Sequence, residues 1–224
     1  MTELSAELAA LFPTGSVAAQ LHGSGSRTEL TQVEINSVSH CSEERINDFS
    51  AGRACARLAL KELGIEGFSL LSAKDRQPLW PPGITGSITH TDGYTAAVVI
   101  RQGSVRSIGV DAEAVGAVHE GLWPRICTPA ELESLRSFAG TERGERAALT
   151  FAAKEAFYKS QFPLTGEWIG FGDVAIELEE EPGGSGLFVV APQRPLLLQR
   201  QAEQRLTGRF RRHGEFVTAG MALC

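Results

Sequence analysis

Two short segments decide how this chain folds: Gly109-Val110-Asp111-Ala112-Glu113 and Phe151-Ala152-Ala153-Lys154-Glu155-Ala156-Phe157-Tyr158-Lys159. The apolar run that begins at Ile108 predicts that the first segment is a buried strand. Successive side chains of a strand point to opposite faces, so Asp111 and Glu113 share one face. The predicted strand therefore carries two carboxylates side by side.

The second segment predicts a helix on which Glu155 and Lys159, four residues apart, lie on one face. Together, Asp111, Glu113 and Glu155 make an oxygen-only site of the kind that a hard cation such as magnesium prefers. The flanking lysines suit phosphate oxygens. Each segment alone is also typical of a solvated strand edge or a surface ion pair, but the combination predicts phosphoryl-type chemistry on a phosphorylated substrate.

Composition restricts the classes of protein to which the chain can belong. Its 224 residues carry a net charge of −6, which argues against a general affinity for nucleic acid. Cys41, Cys55, Cys127 and Cys224 show neither Cys-x-x-Cys nor zinc-ligand spacing, so we expect reduced thiols in a cytoplasmic protein. Neither a signal peptide nor a membrane span is expected, because no cationic start precedes a long apolar run.

Two long helices are marked by the residues at their ends. Ser42 fits the N-cap of an amphipathic helix over 42–63, and Gly64 fits its stop. A second long helix, over 141–161, carries the Glu155 and Lys159 segment. Pro163 is predicted to end this second helix, because proline cannot continue the helical hydrogen bonding.

Shorter elements complete the predicted pattern. A short helix is expected over 3–11, and Thr128 with Glu131 predicts a helix start closed by a reciprocal capping box. Apolar runs bounded by turn residues predict the strands. The predicted strands cover residues 17–21, 87–89, 94–100, 108–111, 174–178, 187–191, 205–211 and 216–221.

Three further segments form an ordered set with the two quoted above. They are Phe49-Ser50-Ala51-Gly52-Arg53-Ala54-Cys55-Ala56-Arg57, Arg76-Gln77-Pro78-Leu79-Trp80-Pro81 and Gly86-Ser87-Ile88-Thr89-His90. In this order, over roughly residues 41–160, they resemble the 4'-phosphopantetheinyl transferases, in particular the surfactin-type and enterobactin-synthetase-component-D-like branch. Members of that family transfer the phosphopantetheine arm of coenzyme A to a serine of a carrier protein and release 3',5'-ADP.

The resemblance implies a fold of the α/β (α+β) class. Two pseudo-twofold-related lobes would each consist of a small, mostly antiparallel sheet packed on a long helix, in a monomeric protein. The lobes would divide near residues 102–107. Residues 1–105 would bind the coenzyme A phosphates, residues 106–224 would provide the metal site and the carrier-docking surface, and the site would lie between the lobes.

The resemblance also implies roles for the residues of the two segments. Magnesium, or manganese in its place, would be held by Asp111, Glu113 and Glu155. Lys154 and Lys159 would contact the pyrophosphate of coenzyme A and take part in catalysis. Glu155 would accept the proton of the carrier serine, either directly or through a metal-bound water.

A second set of residues is implied to bind coenzyme A. Arg53 and Arg45, on one helix face, would bind the 3'-phosphate together with His90. Arg76 would lie along the adenine or its phosphate, where a planar guanidinium can both stack and chelate. Ser87 would donate its hydroxyl to a phosphate oxygen. On pattern alone, a basic helix face is better explained by solvated charges.

Two other interpretations stay open at this point. A magnesium-dependent nucleotide phosphohydrolase would share the carboxylates, although no positioned histidine–aspartate set accompanies them. A catalytically silent relative that only binds coenzyme A or carrier domains is opposed by the intact acids and lysines. The pathway served is expected to be siderophore, nonribosomal peptide or polyketide synthesis. The carrier is expected to dock beside the 141–161 helix, through Arg143, Arg146, Phe162 and Leu164.

Overall fold

The computed structural model describes residues 1–26, 29–198 and 205–224. The chain divides into two compact units, Met1–Ile108 with Cys224 and Gly109–Leu223. Both units combine antiparallel strands with helices, so the predicted mixed α/β fold is confirmed. None of the helices within these described ranges is both long and apolar enough to cross a membrane.

The first unit is built on a sheet whose strands are β1 (Glu3–Leu4), β2 (Val17–His22), β3 (Ile84–Thr91) and β4 (Tyr94–Arg101). Their order is β1-β2-β4-β3, and neighbouring strands are antiparallel. The tight turn at Asp92 and Gly93 joins β3 to β4 and sets a register in which His90 lies opposite Thr95. The strands predicted at 17–21, 87–89 and 94–100 are therefore confirmed.

The long helix of this unit, labelled α3 (Glu43–Glu62), packs against β2 and β4. Ser42 is its N-cap, because the hydroxyl accepts a backbone N–H of the first turn, and Gly64 follows its end with a φ of 78°. At Gly52, an added Cβ would come within 2.9 Å of the Ile88 side chain on β3. Glycine therefore permits a close helix–strand approach, and the helix predicted over 42–63 is confirmed.

The start of the chain differs from the prediction. The expected helix over 3–11 is partly wrong, because β1 pairs with β2 before α1 (Ala6–Ala9) begins. Pairing with a neighbouring strand outweighs the local helical signal here. A further helix, α2 (Gln32–Val38), is absent from the prediction, although Thr31 and Glu34 form a capping box at its start.

The second unit is built on a sheet with the order β5-β9-β8-β7-β6. The closing strands are confirmed, and Thr128 and Glu131 form the predicted capping box. The strands are β5 (Ser107–Ala114), β6 (Val174–Glu181), β7 (Ser185–Pro192), β8 (Thr207–His213) and β9 (Phe216–Leu223). The helices are α4 (Trp123–Ile126), α5 (Pro129–Arg136) and α6 (Gly140–Thr165).

Helix α6 lies against β9 and is longer than predicted. Pro163 lies inside its last turn, so the prediction that this proline ends the helix is wrong. A proline near the end of a helix removes one backbone donor without breaking the preceding turns. The helix instead ends at Gly166, which has a φ of 63° and donates its N–H to the Phe162 carbonyl at 2.8 Å.

Gly109 allows β5 to pass directly against α6. An added Cβ would collide with the carbonyl oxygen of Ala156 and would lie 2.7 Å from the backbone nitrogen of Ser160. Because no larger residue fits this contact, the strand stays next to the helical turn that carries Glu155 and Lys159. This close approach brings the carboxylates of β5 within reach of that turn.

Candidate active site

A carboxylate cluster lies where β5 meets α6. Asp111 is buried on the strand, and Glu113 and Glu155 are partly buried beside it. The ammonium of Lys159 donates to Asp111 Oδ1 at 2.6 Å and to the Val110 carbonyl oxygen at 3.2 Å. The structure therefore brings together four of the residues that the sequence placed in the site.

The charges of this cluster act on one another. Burial, together with the negative charges of Asp111 and Glu155, raises the pKa of Glu113 to about 8, and Lys159 opposes the rise. Burial and the charge of Asp111 also raise the pKa of Glu155. Like charges in a poorly solvated place disfavour ionisation of one another. When all three carboxyl groups are ionised, they carry more negative charge than Lys159 neutralises, so a further cation would stabilise the ionised form.

The predicted metal ligands are the three carboxylates of this cluster. Within the described parts of the chain, no three His, Cys, Asp or Glu side chains are grouped as a ready set of metal ligands. Carboxylate oxygens are nevertheless the donors that magnesium prefers, and the charge of Asp111 acts on both Glu113 and Glu155. The donor set fits a hard cation in its chemistry, while the Lys159 ammonium stands next to Asp111. The assignment of metal ligands stays a prediction.

A pocket of about 210 Å³ opens beside Glu155 on α6. Its walls are largely apolar and aromatic, and they come from the end of α6 and from the chain that follows it. The lining residues are Lys154, Glu155, Phe157, Tyr158, Trp168, Ile169, Gly170, Phe171 and Val174. A long, mostly uncharged group that enters this pocket would therefore lie next to a carboxylate whose pKa is raised.

In the first unit, Arg53 is a buried cation on α3. Its Nε donates to the Leu70 carbonyl at 2.9 Å, its Nη2 donates to Ser72 Oγ at 2.8 Å, and its guanidinium lies 3.8 Å from the centre of the Phe49 ring. Burial lowers its pKa to about 10, so it stays charged at neutral pH. Both acceptors are neutral; the buried Glu34 carboxylate acts on the guanidinium only through its charge, which opposes the effect of burial on the pKa.

Two family models match this chain in succession. Residues 33–100 match the 4'-phosphopantetheinyl transferase N-terminal domain, and residues 107–212 match the 4'-phosphopantetheinyl transferase superfamily. The chain is also 37% identical over 182 residues to the 4'-phosphopantetheinyl transferase Npt of Nocardia iowensis, which covers 80% of this chain and 81% of that protein. This chain belongs to the 4'-phosphopantetheinyl transferases.

Two further relatives are similar in sequence to this transferase. It is 41% identical over 148 residues to the 4'-phosphopantetheinyl transferase PptT of Mycobacterium tuberculosis, across 65% of this chain and 64% of that protein. It is 36% identical over 123 residues to enterobactin synthase component D of Escherichia coli, across 54% of this chain and 57% of that protein. The resemblance identified from short motifs is therefore confirmed.

Lys154 of the transferase has a different place from the one expected for a pyrophosphate ligand. The residue is 2% exposed. Its ammonium donates to Glu131 Oε2 at 2.7 Å, to the Phe171 carbonyl at 2.8 Å and to the Ile126 carbonyl at 2.9 Å. A lysine ammonium has three donors, so none is left for a phosphate. The structure corrects the expectation: Lys154 links α6 to Glu131 on α5 and to the backbone at Ile126 and Phe171.

Glu131 is a residue whose role the sequence revealed only in part. Its capping box with Thr128 was predictable from the Thr-x-x-Glu spacing. In addition, it pairs with Lys154 and accepts the backbone N–H of Ile176 at 2.7 Å. One buried carboxylate therefore joins α5, α6 and β6, and no local sequence signal indicates the last two contacts.

The remaining predicted coenzyme A ligands lie in the first unit. His90 Nε2 is 3.5 Å from Asp48 Oδ2 on α3, and Arg45 is exposed on the same helix. Arg76 is exposed and has a φ of 71°, an unusual backbone conformation for a residue other than glycine. Ser87 is buried, and strand alternation points it to the opposite face of β3 from His90. The structure does not bring Ser87 to the face that His90 occupies.

The predicted docking charges are engaged within the second unit. The guanidinium of Arg146 lies 3.7 Å from the centre of the Phe138 ring and pairs with Glu180. Arg143 donates to the Phe138 carbonyl at 2.8 Å and lies 3.9 Å from Glu120. Both arginines therefore support the start of α6, and their role in docking stays a prediction.

Proposed function

We propose that this transferase moves the 4'-phosphopantetheine arm of coenzyme A to a serine hydroxyl of an acyl or peptidyl carrier protein. The observation that carries the proposal is the cluster of Asp111, Glu113, Glu155 and Lys159 where β5 meets α6. Family membership gives the reaction type, and the cluster provides the charges that this reaction needs. In the reaction, the serine oxygen bonds to the β-phosphorus, and the bond from that phosphorus to the 3',5'-ADP oxygen breaks.

Glu155 is the proposed base. A serine hydroxyl is a poor nucleophile at neutral pH, and a base works best when its pKa lies near the working pH. Burial raises the pKa of Glu155 in this direction. Its carboxylate is also on the pocket wall, so it lies next to the proposed path of the arm. The serine proton passes to Glu155 as the oxygen–phosphorus bond forms.

The same cluster would hold the divalent cation, which we propose to be magnesium. Asp111, Glu113 and Glu155 would be its ligands, and when bound it would neutralise the charge that develops on the departing 3',5'-ADP. Lys159 has a side chain that is 29% exposed, so its ammonium can reach a pyrophosphate oxygen as well as Asp111. Lys154 has no part in this proposal because its donors are used inside the unit.

The aromatic pocket is proposed to hold the pantetheine arm. The arm is long, carries amide groups and has no charge, which matches apolar walls with a few polar backbone groups. Tyr158 and Trp168 meet edge to face, with ring centres 5.4 Å apart, and form part of the wall. An arm held there would place its phosphate end near Glu155.

Arg53 is proposed to bind the 3'-phosphate of coenzyme A. Its two hydrogen bonds go to neutral acceptors, and a charge-assisted contact to phosphate is about twice as strong as a neutral one. His90, Arg45 and Arg76 are proposed to assist. Arg57 is different, because it pairs with the fully buried Glu34 at 2.9 Å and thereby supports the fold.

The pathway that the carriers serve is inferred from sequence similarity. We propose that the carriers belong to siderophore, nonribosomal peptide or polyketide synthesis, because one relative is an enterobactin synthase component. Intact carrier domains of each kind can be compared as substrates under one set of conditions. A fatty-acid carrier that is modified faster than all of them would contradict this assignment.

One experiment tests the proposed function. The transferase is incubated with coenzyme A, magnesium and an apo-carrier protein, and both products are analysed by mass spectrometry. A carrier that gains the phosphopantetheine mass on its serine, together with released 3',5'-ADP, supports the proposal. Coenzyme A cleavage without carrier modification indicates a phosphohydrolase, and no change in either molecule indicates a silent binding protein.

A further inference from the structure

One wall of the pocket is formed by a short loop. The loop covers residues 166–173, between the end of α6 and β6, and we name it the pocket-wall loop. Trp168, Ile169, Gly170 and Phe171 of this loop all line the pocket. Trp168 is 75% exposed, so packing into the core does not fix its position. Another contact must hold this part of the wall in place.

Lys154 and Gln161 of α6 donate to the Phe171 and Glu167 carbonyls of the loop, and Arg194, which follows β7, makes the contacts at Trp168 and at the carboxylates. Its Nη1 donates to Glu167 Oε1 at 2.6 Å and to the Pro195 carbonyl at 3.2 Å. Its Nη2 donates to the Trp168 carbonyl and to Asp173 Oδ2, each at 3.1 Å. Its Nε lies 3.1 Å from Asp173 Oδ1. A guanidinium has five N–H donors; four of them make these hydrogen bonds, and the fifth, at Nε, lies at ion-pair distance from Asp173.

The two carboxylates that Arg194 binds lie near opposite ends of the pocket-wall loop. Glu167 also accepts the backbone N–H of Leu197 at 2.8 Å. Asp173 accepts the N–H of Gly170 at 2.9 Å, and its backbone carbonyl accepts the N–H of Gln193 at 2.8 Å. The chain around Arg194 therefore binds both ends of the loop, and Arg194 also binds the backbone between them at Trp168.

We propose that Arg194 is a positioning residue: it holds the pocket-wall loop, and through the loop it sets how tightly the pocket binds the pantetheine arm. This inference rests on the proposed function of the pocket. Arg194 itself does not line the pocket, so it acts through the backbone and the side chains of the loop. Loss of the Arg194 contacts with the loop would weaken binding of coenzyme A. The carboxylate cluster on β5 and α6 would stay in place.

The alternative is an ordinary surface ion pair, which usually contributes little. The second unit contains such a pair for comparison, because Arg205 Nη2 lies 2.6 Å from Glu179 Oε1 with both side chains largely exposed. Arg205 contacts a single carboxylate there, whereas Arg194 contacts two carboxylates and the backbone of a pocket wall. The planar fork of Arg194 cannot be replaced by lysine, which has a point charge and three donors.

The test uses the full chain with Arg194→Gln, Arg194→Lys and, as matched control, Arg205→Gln. Both Arg194 variants should raise the Michaelis constant for coenzyme A by about fivefold to tenfold, a change of about 1–1.4 kcal/mol. The turnover number at saturation should stay near that of the parent, and the melting temperature should fall slightly because the Arg194 contacts are lost. The Arg205 variant should match the parent in every measurement.

A second readout follows the loop without catalysis. Acrylamide quenching of Trp168, obtained as the difference from a Trp168→Phe protein, should increase in both Arg194 variants and not in the control. Calorimetry should show weaker coenzyme A binding in the absence of carrier. If the parent transfers nothing but quenching and binding change as expected, the positioning role stands and the proposed function is wrong. An unchanged Michaelis constant, or unchanged quenching, would overturn the positioning role.

Discussion

The ammonium of Lys159 lies 2.6 Å from Oδ1 of Asp111, so a helix cation neutralises a strand carboxylate inside the carboxylate cluster. The same charge lowers the pKa values of Glu113 and Glu155, against the rise caused by burial. Lys159 is thus an internal counter-ion of the cluster. A divalent cation at this place would compete with it.

Replacing Lys159 with methionine should strengthen binding of magnesium to the protein without coenzyme A. Removing the ammonium leaves the carboxylates uncompensated, so affinity should rise by about tenfold, or about 1.4 kcal/mol. Titration calorimetry with magnesium chloride measures this directly. Lys61→Met, an exposed lysine in the last turn of α3, is the control. Equal affinity in the Lys159 variant and the parent would mean that Lys159 and the cation do not compete.

Arg53 and Arg57 lie one turn apart on α3 but should respond differently to truncation. Arg53→Ala should reduce discrimination between coenzyme A and its 3'-dephospho form, because a lost charge-assisted contact costs about 1.5–3 kcal/mol. Arg57→Ala should lower the melting temperature, because it leaves Glu34 buried without its partner, while the preference ratio stays unchanged. Ratios of kcat/KM for the two substrates measure the effect. Equal ratios in the Arg53 variant and the parent would remove Arg53 from this role.

Lys154→Met should destabilise the second unit strongly. Removing one partner of a buried ion pair costs about 3–5 kcal/mol, because the other charge is left buried. The double variant Lys154→Met with Glu131→Gln should recover part of this loss. Denaturant unfolding of the three proteins gives the free energies. A stable single variant that loses only activity would instead return Lys154 to the pyrophosphate role that the sequence suggested.

This contrast shows what the sequence could and could not reveal. The spacing of Glu155 and Lys159, and the alternation along β5, encode a shared site directly, so the carboxylate cluster was predictable. Lys154 is next to Glu155 in the chain, but adjacent residues of a helix point in different directions. A buried stripe runs through α6 at Ala147, Thr150, Lys154, Phe157 and Gln161, and this periodicity could have assigned Lys154 to the interior.

Other features could not be predicted because they depend on tertiary contacts. The pocket-wall loop contains no regular periodicity, and its partner Arg194 lies more than twenty residues further along the chain. No change in composition marks the division after Ile108, which falls within β5, so the expectation of a division near residues 102–107 came from the family resemblance and not from the composition. By contrast, Ser42 and Thr128 act through neighbours three residues away, so the helix starts were readable from local sequence.

The ion pairs that join Arg194 to the pocket-wall loop should be lost at acidic pH. Hydrogen bonds from Arg194 lower the pKa values of Glu167 and Asp173. A carboxyl group with a lowered pKa in the folded state contributes stability above its unfolded pKa and loses it as the pH falls through the folded value. In the unfolded chain the pKa values of Glu167 and Asp173 are about 4.3 and 3.9. Quenching of Trp168 should therefore be the same at neutral pH and at pH 5, and should increase below about pH 4. The Arg194→Gln protein should lack this step, and an identical step in both proteins would assign it to other groups.

The carboxylate cluster is proposed to catalyse transfer of the phosphopantetheine arm to a carrier serine. The most direct test is the rate at which apo-carrier gains the phosphopantetheine mass with the parent, with Glu155→Gln and with the control Glu145→Gln, whose partner is Arg212 on the same unit. The parent and the Glu145 variant should modify the carrier at similar rates, while loss of the base should slow the Glu155 variant by about 10²–10⁴-fold. Modification by the Glu155 variant at the parent rate, or no modification by the parent, would contradict the account.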